Sequence, residues 1–107
     1  MVEAQMNEKS LKETFRDFLF NLEDFLHVSS IIEKDKVSVL FVQEPTKSLG
    51  DWFAKGVVKI GDQQYVFEAL LETDLQVIRV DSKAFHFHLK IDEVKEFLNE
   101  LRNHGGA

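Results

Sequence analysis

The chain has 107 residues, of which 44% are apolar, 19 are acidic and 13 are basic, for a formal charge of −6. That length fits one domain with a core of its own. The acidic balance disfavours a nucleic-acid binder, since phosphate contacts need a basic surface, and the lack of Cys excludes disulfides, zinc thiolates and a cysteine nucleophile.

No run of about 18 apolar residues is present to span a membrane. The start, Met1-Val2-Glu3-Ala4-Gln5, lacks the basic and apolar regions of a signal peptide. The expectation is a cytoplasmic protein without a membrane partner. Residues 1–6 read as a loose leader in which Met6 offers a second start, residues 7–104 as the domain, and residues 105–107 as a loose end.

The first element is a helix from about Ser10 to His27. Leu11, Phe15, Phe18, Leu19, Leu22, Phe25 and Leu26 recur at spacings of three and four and form one apolar stripe. Ser10 followed by Glu13 has the pattern of a capping box. Phe20 falls on the opposite side of the wheel from Leu11, where an exposed ring marks a contact surface; single exposed apolar residues are also common on any protein.

A short strand follows at Ser29–Glu33, turning at Lys34-Asp35. Five further strands are expected at Val37–Gln43, Trp52–Ile60, Gln63–Glu72, Leu75–Asp81 and Ala84–Lys90, because apolar residues alternate there. The segment from Gln43 to Gly50 holds the single Pro, Pro45, and reads as one long polar loop. Two-residue turns are expected at Gly61-Asp62, Thr73-Asp74 and Ser82-Lys83. A last helix spans about Asp92–Asn103, with Val94, Phe97, Leu98 and Leu101 as its stripe. Asp92 and Glu93 suit its positive end, Arg102 suits its negative end, and Gly105-Gly106 stops it.

Short connections make the sheet an antiparallel meander, because parallel crossovers need many more linking residues. The fold class is therefore α+β: five or six strands with an N-terminal and a C-terminal helix on one face. Such layering is similar to that of small acidic secretion-chaperone-like domains and of helix-grip binding folds, although those chaperones carry a helix midway through the strands. The layering hosts many functions.

The turns divide the strand residues into two faces. Val37, Val39, Phe41, Trp52, Ala54, Val58, Ile60, Tyr65, Phe67, Ala69, Leu71, Ile78, Val80, Phe85, Phe87 and Leu89 form the core face. Leu40, Val42, Phe53, Lys55, Val57, Val66, Glu68, Leu70, Val77, Arg79, His86 and His88 form a mixed outer face. Two-residue turns would set Lys55, Glu68, Arg79 and His86 in one row, and would pair Leu70 with Val77 and Val77 with His88. A turn longer by two residues would slide the partners and keep the faces.

Each candidate site has a plain structural counterpart. His86 and His88 point the same way on one strand, as the start of a metal site would, but Arg79 beside them repels a cation. Two polar residues on a wet sheet face are the favoured reading, and no metal is expected. Glu68, Arg79 and His86 would make an active site only if they lined a cleft; no Gly-rich phosphate loop or nucleophile triad accompanies them, and no cofactor is implied. Gly56 and Gly61 read as close packing and a turn.

The expected function is therefore a small acidic protein-interaction module, not an enzyme: an adaptor, inhibitor or chaperone-like protein. It would be homodimeric and bind through Phe20 and the outer sheet face. The alternative is a small-ligand binder whose ten Phe residues, with Trp52 and Tyr65, line a cavity between sheet and helices.

Overall fold

The computed structural model describes residues 8–29, 31–32 and 36–105. Helices α1 (Glu8–Phe20) and α2 (Leu22–Ser29) precede strands β1 (Val37–Val42), β2 (Thr46–Ser48), β3 (Asp51–Ile60), β4 (Gln63–Glu72), β5 (Val77–Ser82) and β6 (His86–Lys90), and α3 (Ile91–Gly105) closes the domain. All strand pairs are antiparallel. The order is β1-β3-β4-β5-β6, with β2 also on β3. The α+β meander expected from the sequence is the fold.

The expected first helix is two helices. Asn21 breaks it: its side-chain amide donates to the Asp17 carbonyl at 2.8 Å, and its backbone N–H donates to Phe18, only three residues back, at 3.0 Å. Short amides compete in this way with the helical ladder. Ser10 sits within α1, two residues after its first residue, and not at its cap. Ser29, expected in a strand, ends α2, and Ile31 and Ile32 lie in a bend. The rest of that expected strand and its Lys34-Asp35 turn, like the expected leader 1–6, lie outside the described residues. Helix α3 runs on to Gly105; its expected stop at Gly106 is outside them too.

The segment after β1 is more ordered than a loop. Thr46, Lys47 and Ser48 pair with Phe53, Trp52 and Asp51, so β1 and β2 lie end to end along β3. The turn between β2 and β3 is Leu49-Gly50, both with positive φ (52° and 90°), the geometry that suits a two-residue hairpin. Between the two strand pieces the Gln43 side chain takes the place of a backbone group, its Oε1 accepting from the Lys55 N–H at 3.1 Å.

The turn at Gly61-Asp62 is the expected one, with Ile60 paired to Gln63 and Gly61 at φ 61°. The next is longer. Glu72 pairs with Val77, so the loop is residues 73–76. Thr73 is held elsewhere: its N–H donates to Asp51 Oδ1 at 3.0 Å and its hydroxyl to the Gly50 carbonyl at 3.0 Å. The last turn is shifted to Lys83-Ala84, because Ser82 Oγ accepts from the N–H groups of Ala84 and Phe85 while the Ser82 N–H donates to the Phe85 carbonyl.

One face of the sheet carries all three helices. Leu11, Phe15, Phe18, Leu19, Leu22 and Leu26 of the helical stripe are buried with Ala54, Val58, Phe67, Ala69, Leu71, Ile78, Val80 and Phe85 of the sheet. Phe18, Phe25, Phe87 and Phe97 interlock, with centroids 5.1–6.4 Å apart and mostly edge to face. These rings join all three helices to β6. At the start of α3, Glu93 Oε1 accepts from the Lys90 N–H at 2.9 Å, half of a capping box.

Candidate interaction surface

The helix-free face carries the mixed set, with one exchange. In β1, Val39 pairs with Val58 but Phe41 pairs with Val57, so Leu40 is an extra residue, a β-bulge. A bulge reverses which side each following residue takes. Phe41, expected in the core, therefore stands on the outer face in line with Val57. Val42, expected outside, is opposite Gly56 and packs against the core.

The longer loop and the shifted turn slide two pairings by two residues each. Lys55 still faces Glu68. Glu68, however, pairs with Asp81, and Asp81 with His86, while Arg79 lies in the next row between Leu70 and His88. Val77 sits between Glu72 and Lys90, not between Leu70 and His88. The row of Lys55, Glu68, Arg79 and His86 is thus dissolved. Arg79 Nε instead meets Glu72 Oε1 at 3.1 Å. His86 and His88 stay on one face in neighbouring rows, and among the described residues no group of three or more His, Asp or Glu could hold a metal ion.

What the folding gathers is an apolar strip at the β1 end of the sheet. Phe20, Leu40 and Phe41 border one groove of about 270 Å3 between the helices and β1, floored by Leu19, Leu22, Val39 and Val42. Phe41, Val57 and Val66 continue the strip across the outer face in one row. Phe20, Leu40, Phe41 and Val66 are 47%, 50%, 57% and 61% exposed. The next apolar residues, Phe53 and Leu70, are half-buried partners in a second row. Between the rows stand Lys55 and Glu68, with the Lys55 ammonium 6.0 Å from the centre of the Phe53 ring.

Charge brackets the helix side of the strip. The Arg16 guanidinium lies 4.7 Å from the centre of the Phe20 ring and binds Glu44 through two hydrogen bonds, 2.9 and 3.1 Å. The hydrogen bond from Arg16, more than the charge itself, holds the Glu44 carboxyl below the ordinary range, and the same bond raises Arg16. The pair ties α1 to the connection between β1 and β2.

Sequence reasoning missed Phe41 and included Val42. The signal was present in Val39-Leu40-Phe41-Val42, four apolar residues in a run where a one-sided strand alternates.

Compared with family models, curated proteins and solved structures, the chain matches none. No helix among the described residues is long and apolar enough to cross a membrane.

Proposed function

We propose that this protein is a small acidic interaction module, of the adaptor, inhibitor or chaperone-like kind, that pairs with a second copy of itself through the open face of its sheet. One observation carries the reading: the exposed strip that starts at Phe20 of α1, passes Leu40 and Phe41 at the β1 edge and reaches Val66 on the side of the sheet that no helix covers. A contiguous apolar surface flanked by charge is the composition of a protein contact.

The choice of a second copy rests on charge. Lys55 and Arg79 share the face with Glu68 and Asp81, so it carries both signs in adjacent rows. A twofold axis presents the same patch on both partners, and a patch of mixed sign can match itself.

Sedimentation velocity over a range of concentrations tests the reading. The wild-type chain should form a dimer. Phe41→Glu and Val66→Glu should each return it to a monomer, and at concentrations where the wild type is itself monomeric neither should move the urea midpoint, because both side chains are mostly exposed in the single chain. A wild-type monomer at every concentration, or a dimer that tolerates both charges, defeats the proposal.

A further inference from the structure

A strand at the end of a sheet leaves a row of backbone N–H and C=O groups open to pairing with another chain. Strand β1 is at such an end, with β3 on its one paired side. Along its other side two of the backbone groups are taken by α2. Glu23 Oε1 accepts from the Val39 N–H at 2.8 Å. His27 Nε2 donates to the Val37 carbonyl at 3.2 Å.

The spacing explains why one helix can do this. Glu23 and His27 are four residues apart, a rise of about 6 Å along a helix. Val37 and Val39 are two residues apart, about 6.6 Å along a strand. One turn of α2 therefore sets a carboxylate acceptor against the strand's donor and an imidazole donor against its carbonyl, as a neighbouring strand would. The break at Asn21 separates α2 from α1.

We propose that Glu23 and His27 make α2 an edge guard that denies β1 to the β1 strand of a second copy. With the guard removed, two copies can pair β1 to β1, antiparallel about a twofold, and join their sheets edge to edge. This contact differs from the face-to-face pairing proposed above; because Glu23 also lines the groove beside Phe20, Val66→Glu is used to separate the two.

The double variant Glu23→Ala, His27→Ala tests the guard in the full chain. At low concentration the Val39 amide should exchange about tenfold faster than in the wild type, having lost its acceptor. As concentration rises, sedimentation velocity should show a species larger than the wild-type one, and the Val39 amide should become protected again. The same association should survive addition of Val66→Glu, which lies on the outer face of β4 and leaves β1 untouched.

Two outcomes overturn the inference: association equal to that of the wild type, or extra association that Val66→Glu abolishes, since the outer face would then account for it. Should the double variant lose its helical circular dichroism, Glu23→Ala alone gives the same readout. It leaves His27 in place, offers Val39 no acceptor, and must show both the faster exchange and the larger species.

Discussion

On the helix side of the sheet, Phe67, Leu71, Ile78 and Val80 are fully buried, whereas their neighbours along the same strands, Val66, Glu68, Arg79 and Asp81, are exposed on the other side. The same backbone thus serves two purposes at alternate residues. The covered face is apolar throughout and its rings interlock; the bare face mixes both charge signs with valine, leucine and phenylalanine. The difference teaches that composition alone does not separate core from surface in this chain. A phenylalanine can be either, and Phe41 and Phe67 show both on strands that flank β3.

Mutations sharpen the contrast in order of size. Phe18→Ala removes the ring that meets Phe25, Phe97 and Phe87 at 5.2, 6.1 and 6.4 Å. Chemical denaturation should show a loss of about 3–5 kcal/mol; less than about 1 kcal/mol would mean the covered face is loosely packed. Gly56→Ala comes next. An added methyl would run into the Phe67 ring and the Phe41 carbonyl, so overpacking should cost about 1–3 kcal/mol. Because Phe41 is the first residue past the bulge, this substitution should also disturb the amide resonances of residues 40–42. Val66→Glu, on the bare face, should cost no more than about 0.5 kcal/mol.

The smallest effect concerns the Arg16–Glu44 pair. Both groups are exposed, so the pair contributes little to stability. Its sign is nevertheless defined. Glu44 titrates lower in the folded chain than in the unfolded one, so its contribution is complete above the ordinary carboxylate range and is lost as pH falls through the lowered value. A carboxyl titration followed by NMR should place Glu44 below the ordinary glutamate range, and Arg16→Gln should return it to that range.

Helical stripes were legible because a period of three and four over many residues has few other meanings. The two faces of the sheet were legible from alternation, and they survived a longer loop after β4 because two extra residues preserve parity. What was not legible depends on interactions between distant residues or on single side chains. Thr73 could be known to leave its turn only by knowing that Asp51 and Gly50 reach it. Asn21 sits inside an unbroken stripe, and only its amide's competition for Asp17 ends the helix. Strand β2 has no apolar alternation, and its turn uses a leucine at positive φ where asparagine or glycine is expected. The candidate surface suffered most, since one bulge at Leu40 carried Phe41 onto the outer face and turned Val42 off it, into the floor of the groove beside Phe20.

The single tryptophan, Trp52, lies at the start of β3, half-buried against the core, with its indole N–H shielded from solvent and the Lys12 ammonium of α1 5.1 Å from the centre of its ring. The chain therefore carries its own optical probe at the junction of α1 and the sheet. Its emission should sit to the blue of free tryptophan while α1 is docked and move to the red when that helix lifts away, giving a reading of one joint with no added label.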